Sequence, residues 1–185
     1  MPAQDDTIRV VIRCKGKEPL NESETAKWKC TDTEIDLTGK KFTFDHILLD
    51  TDQDTMYMSA AQETVLQFTK GFNGTIFAYG QSGSGKTFSM LGPEEVVELI
   101  KKGDRISEDI QNLYGIIPRA IIDLFEYINN AVTQDKARFE VYMNYFEIYM
   151  ESLNNLLSGS KSSSENLKIG GNKVLNANPV AVSSP

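Results

Sequence analysis

The chain has 185 residues, 40% hydrophobic and 24% charged, with a net charge of −7 and a pI near 4.8. That is enough chain for one sizeable core, and its acidity argues against binding nucleic acid or an anionic membrane by charge. Two cysteines, Cys14 and Cys30, and one histidine, His46, exclude a disulfide framework and supply no C-x-x-C or H-x-x-x-H spacing.

In chain order, residues 8–14 (IRVVIRC) are β-branched and predict a buried strand. The polar start before them reads as neither a secretory signal nor a transit peptide, and no apolar run approaches a membrane span, so a cytoplasmic location is expected. Residues 27–45 alternate loosely and predict short strands around a turn at Gly39, with His46 after them in a structural role. Residues 52–71 predict one helix, capped by Asp52 or Asp54 and ended by Gly71, with Met56, Ala60, Val65 and Phe68 near one face. TIFAY (75–79) predicts a buried strand. A Gly/Ser run and a second helix beginning at Lys86 follow, and Gly92-Pro93 interrupts that helix. Residues 94–112 read as a long charged insertion with helical content in EEVVELIKK. Residues 116–131 resume helical spacing, with Ile117, Ile121, Leu124, Phe125 and Ile128 on one stripe and Asp123 facing solvent. Residues 138–150 (RFEVYMNYFEIYM) predict a long strand, and SKSSSEN a low-complexity linker. LKI is briefly strand-like. Residues 170–185 carry no usable period and are expected to form a divergent, disordered tail, which leaves 1–169 as the folded part.

The alternation of helical and strand patterns indicates an α/β layered fold. Within it, Gly80, Gln81, Ser82, Gly83, Ser84, Gly85, Lys86 and Thr87 fit G-x-x-x-x-G-K-[ST]. Glycines let successive backbone N–H groups turn inward as an anion-binding nest, and a helix start adds positive potential. Lys86 can reach β- and γ-phosphates, and the Thr87 hydroxyl can ligate a Mg²⁺ that bridges them.

The flanks extend this. GFNGTIFAYGQSGSGKTFSMLG, FTFDHILL, YGIIPRAIIDLFEYI and FEVYMNYFEIYMESLNNLL together resemble, in order and spacing, segments of kinesin motor domains over residues 8–169. The resemblance implies a P-loop NTPase fold, three-layer α/β/α around a central mixed sheet. It implies the ATP-binding portion of a cytoskeletal microtubule motor that uses ATP and Mg²⁺. It also implies that Phe88 stacks on the adenine, and that Arg13 and Pro19 belong to the adenine pocket.

The chain departs from that family in three places. The R-x-R-P segment lacks its second arginine, and three extra residues separate Arg13 from Pro19, with Lys15 or Lys17 as poorer substitutes. The insertion after the phosphate-loop helix is long. Neither the N-x-x-S-S-R-S-H nor the D-x-A-G-S-E switch occurs, so no catalytic residue is identified and the sheet is expected to be incomplete. Asp50, after a hydrophobic run, is a candidate substitute metal ligand. The basic microtubule-contacting elements and any dimerising heptads are missing too, so the sequence assigns no oligomeric state. The isolated chain is expected to be marginally stable, to bind Mg-nucleotide weakly and to turn it over negligibly. The alternative is a nucleotide-binding or partner-binding remnant without motor activity. No guanine-reading N-K-x-D is present to favour a GTPase.

Overall fold

Strand β1 (Val11–Arg13) runs parallel to β5 (His46–Leu48), with Val11 opposite His46 and Arg13 opposite Leu48. In this computed structural model residues 8–15, 28–103, 106–135, 137–157, 167–171 and 173–184 are described. Pro19 and Lys17 lie outside them. The described residues form two compact units, one running to Leu124 and one from Phe125.

Parallel neighbours require a crossover. Within the first unit it contains an antiparallel meander of β2 (Trp28–Cys30), β3 (Glu34–Leu37) and β4 (Lys40–Thr43). The β3–β4 turn falls at Thr38-Gly39, both with positive φ (56° and 87°), the twist that a two-residue hairpin needs. The turn expected at Gly39 is therefore present.

Helix α1 (Gln53–Ala60) starts at Asp52, whose carboxylate accepts the Thr55 N–H at 2.7 Å. The single helix expected over 52–71 is broken at Ala61 (φ −132°), and α2 (Gln62–Thr69) follows. The break lets Ala61, only 1% exposed, sit inside the core with Leu48, Met56, Tyr57 and Ile116. Val11, Ala60, Val65, Ile76 and Met90 pack around that cluster. Phe68 does not join it and stays exposed.

Residues 72–80 carry no regular secondary structure, so the strand expected at TIFAY is absent. Ile76 packs on the core, but Phe77 and Tyr79 are exposed. β-propensity describes a surface ready to pair, and this segment pairs with no strand among the described residues.

After α3 (Lys86–Met90) come α4 (Glu94–Lys102) and α5 (Glu108–Gln111). α4 has acidic residues in its first turn, Lys101 and Lys102 in its last, and a left-handed Gly103 closing it. The two ends of this insertion meet where Gly92 and Gly115 press backbone against backbone: the Gly115 N–H donates to the Leu91 carbonyl at 3.2 Å. Helix α6 (Ile116–Asp135) then tolerates Pro118 because it lies in the first turn. Its buried side in the first unit is Ile116, with Ala120 against the core. Ile117, expected on one stripe with Ile121, Leu124, Phe125 and Ile128, is exposed.

Asp123 is not turned to solvent as expected. Its carboxylate accepts the Tyr57 hydroxyl at 2.6 Å. Burial first, then the hydrogen bond and charge of Asp123, push the Tyr57 phenol above its ordinary range. A raised native value favours the protonated native state, so this contribution is complete below the unfolded tyrosine pKa of about 10 and declines above it. Tyr57→Phe should cost about 2 kcal/mol at neutral pH, and should flatten the alkaline limb of stability. Chemical denaturation at pH 7 and above pH ~10 checks both; an unchanged alkaline limb in the variant would refute the assignment.

In the second unit, β6 (Val141–Met143) pairs antiparallel with β11 (Val180–Val182), and β7 (Phe146–Tyr149) with β8 (Ser152–Asn155). The one long strand expected over 138–150 is thus two, divided at Asn144-Tyr145 because each half pairs with a different partner. Met150 and Glu151 turn the β7–β8 hairpin with positive φ. β9 (Lys168–Gly170) and β10 (Lys173–Leu175) form a further hairpin. Residues expected as a disordered tail therefore carry β10 and β11. These short strands obtain their order from distant partners, such as Ala181 opposite Tyr142, which no local period reveals.

Candidate nucleotide site

The G-x-x-x-x-G-K-T segment joins residues 72–80 to α3. Gly85 caps α3 in the left-handed conformation (φ 95°), which a residue with a Cβ adopts only under strain. Lys86 folds back over the loop: its Nζ donates to the carbonyls of Gly80 and Gln81, both at 2.9 Å. The Ser84 N–H donates to the Gln81 carbonyl at 3.2 Å. Thr87 and Phe88 are exposed on the first turn. Helix α3 is only five residues long, so backbone N–H groups and the lysine, more than a helix dipole, carry the attraction for an anion.

Beside the loop stands Arg13 at the end of β1. Its guanidinium lies 5.0 Å from the Phe88 ring centroid, a cation–π distance. One guanidinium nitrogen donates to Gln53 Oε1 at 2.8 Å and to Ser89 Oγ at 3.0 Å, and the other to the Thr51 carbonyl at 3.2 Å. Burial lowers the affinity of Arg13 for its proton, and the Asp52 carboxylate opposes this. Gln53 is buried, 4% exposed, and its amide N–H groups reach the Phe88 carbonyl at 2.7 Å and that of Leu113 at 3.4 Å. Lys15 Nζ donates to the Gly83 carbonyl at 2.9 Å. These groups border an open cleft of about 1420 Å³ between β1, residues 72–79 and α3. In its wall the Thr51 hydroxyl is buried with no hydrogen-bond partner among the described residues.

Of the residues singled out from sequence, Arg13, Ser84, Gly85, Lys86 and Phe88 line one cleft, and residues 80–83 and Thr87 adjoin them in the chain. Lys15 contacts the loop through a carbonyl, and Pro19 lies outside the described residues. Asp50 belongs to no group of three or more His, Cys, Asp or Glu side chains able to hold a metal, and no such group exists among the described residues. Gln53 and Ser89 were missed. Their partners lie far off in sequence, and nothing local marks them.

The kinesin motor domain family model matches residues 4–183, which carries the match beyond Ile169 into the segment expected to diverge. The chain is 36% identical over 173 residues to kinesin-like protein KIF15-B of Xenopus laevis, covering 86% of this chain and 12% of that one. It is 35% identical to human kinesin-1 heavy chain, covering 84% of this chain and 15% of that one. Kinesin-related protein 3 of Dictyostelium discoideum is 41% identical, with 88% of this chain and 13% of that one covered. The chain thus spans a small part of these relatives. Among solved structures, it superposes on the Drosophila kinesin family member Kin10/NOD in complex with divalent manganese and ADP. The TM-score is 0.65 at 25% identity, covering 94% of this chain and 54% of that one.

Proposed function

Because this chain belongs to the kinesin motor domain family, we propose that it is the ATP-binding portion of a microtubule motor, holding Mg-nucleotide against residues 80–88. The observation that carries this reading is Lys86 bent over the loop, its ammonium at the carbonyls of Gly80 and Gln81. That places a cation at the loop's mouth, where a polyphosphate would lie.

The residues fit the group. Backbone N–H groups of the loop and the Lys86 ammonium neutralise phosphate charge, and the exposed Thr87 hydroxyl is free to reach a divalent ion. With no carboxylate cluster among the described residues, a Mg²⁺ here would take its other oxygens from phosphate and water, as this ion commonly does. Held beside Thr87, Mg²⁺ would supply positive charge against the terminal phosphates. The exposed Phe88 ring offers a face for the base. Neither switch motif occurs in the sequence, so the groups that would orient a hydrolytic water have no counterpart here. Binding is therefore proposed to be weak and turnover negligible for these 185 residues alone, with little microtubule affinity from so acidic a chain. In the whole protein the layers are proposed to be α/β/α around one mixed sheet. The location is then cytoplasmic, on the cytoskeleton; no helix of the described residues is long and apolar enough to cross a membrane.

Calorimetric titration of the chain with ADP, with and without Mg²⁺, tests this. Saturable binding that tightens with Mg²⁺ is expected. No binding at millimolar ADP, or a preference for metal-free nucleotide, would refute it. Hydrolysis at motor rates would refute the claim of negligible turnover.

A further inference from the structure

Gln53 is a buried, uncharged residue in the first turn of α1, away from the phosphate loop in sequence and part of no motif. Its amide nonetheless hydrogen-bonds three residues that line the same cleft as Lys86. Its oxygen accepts from Arg13 at 2.8 Å, and its nitrogen donates to the carbonyls of Phe88 at 2.7 Å and Leu113 at 3.4 Å. Three N–H groups of the Arg13 guanidinium donate to Gln53, Ser89 and the Thr51 carbonyl, and the guanidinium lies over the Phe88 ring. A guanidinium with its donors so committed is fixed in place. The ring beneath it is then fixed from two directions, by Arg13 and by the grip of Gln53 on its own carbonyl. Phe88 keeps 43% of its surface exposed, so area remains for a flat group to cover.

We propose that Gln53 is the positioning residue of the base-binding face: it locks Arg13 and the Phe88 backbone into one geometry so that the ring is presented to a planar purine base. On this assignment Arg13 itself acts through Phe88 rather than as a free stacking group. The lock offers one answer to the missing second arginine of the R-x-R-P segment, since a preorganised ring loses less order when a base covers it. The assignment rests on the nucleotide reading above for its ligand, but its geometry can be tested without one.

The test uses the full chain with Gln53→Leu and Gln53→Glu. First, without ligand, the Arg13 Nε–H resonance is followed by NMR, with Phe88→Ala as the reference for a lost ring-current shift. Gln53→Leu should move that resonance to the Phe88→Ala position, whereas Gln53→Glu, which keeps an acceptor for Arg13, should hold it near wild type. Second, Mg-ADP and Mg-pyrophosphate are titrated. Gln53→Leu should weaken ADP about tenfold, the worth of one hydrogen bond to a charged group, and leave pyrophosphate unchanged. An Arg13 resonance indifferent to Gln53→Leu, or equal losses for ADP and pyrophosphate, would overturn the proposal. If the leucine variant does not fold, a lost ring-current shift in Gln53→Glu overturns it and a retained one supports it. If wild type binds neither ligand, the nucleotide reading fails, and the Arg13 resonance alone decides the role of Gln53.

Discussion

Replacing Lys86 with alanine is expected to weaken Mg-ADP binding by about a hundredfold while leaving the fold intact. The size follows from the bonds involved. An ammonium on phosphate makes charge-assisted hydrogen bonds that contribute roughly 1.5–3 kcal/mol each, and about 1.4 kcal/mol is tenfold in affinity. Two such bonds lost give the expected factor. Part of the wild-type attraction is already spent, because the ammonium must loosen from the Gly80 and Gln81 carbonyls to meet a ligand. Its removal frees those two carbonyls on a solvent-facing loop, where water replaces the contacts, so stability should change little. Lys86→Arg should recover only part of the loss, because a wide planar fork does not fit where a compact ammonium does. Isothermal titration of the three proteins beside their urea midpoints separates the two effects. A Lys86→Ala protein that binds within threefold of wild type would remove the phosphate loop from the account.

The largest stability effect is expected at Gly115. A Cβ there would lie 2.5 Å from the Leu91 nitrogen, 2.5 Å from the Met90 carbonyl carbon and 2.7 Å from the Met90 oxygen. All three are backbone atoms at the end of α3, so no side chain can swing aside. Across the seam, a Cβ on Gly92 would meet the Leu113 carbonyl oxygen at 2.6 Å, and its φ of 110° resists substitution in any case. Overpacking against backbone costs at least the upper part of the usual range, about 3 kcal/mol. That is a large share of the stability of a small domain. The damage also travels. Gly115 precedes Ile116, one of the buried core residues, and its contacts are the last turn of the phosphate-loop helix. Gly115→Ala should therefore lower the urea midpoint sharply and weaken Mg-ADP binding as a consequence. Gly83→Ala is the control: a Cβ there meets nothing within 4 Å, so only its φ of 78° costs energy, about 1–2 kcal/mol. Equal midpoints for the two alanine variants would show that the seam yields.

The phosphate-loop motif was legible because its chemistry is local. Consecutive N–H groups, a lysine and a threonine within eight residues suffice to define it. Caps and tight turns were legible for the same reason, as at Asp52, Gly71 and Gly39, where one side chain or one φ decides the outcome. Pairing was not. TIFAY has the composition of a strand, yet strand identity requires a neighbour, and none of the described strands lies against it. The 138–150 run has one continuous alternation, but β6 and β7 follow different partners. The segment after Ile169 shows no period because strands of three residues are too short to carry one.

By itself, the sequence determined the family and the G-x-x-x-x-G-K-T pattern on which the proposed phosphate binding rests, through residues close together in the chain. Only the tertiary structure decided that Gln53, Ser89 and Thr51 hold Arg13, that Asp123 takes the Tyr57 proton bond, and that Gly92 and Gly115 close the insertion. Each of these depends on groups 23 to 76 residues apart. Their hydrogen bonds and close approaches exist only once the core of Leu48, Met56, Tyr57, Ala61 and Ile116 has brought them together.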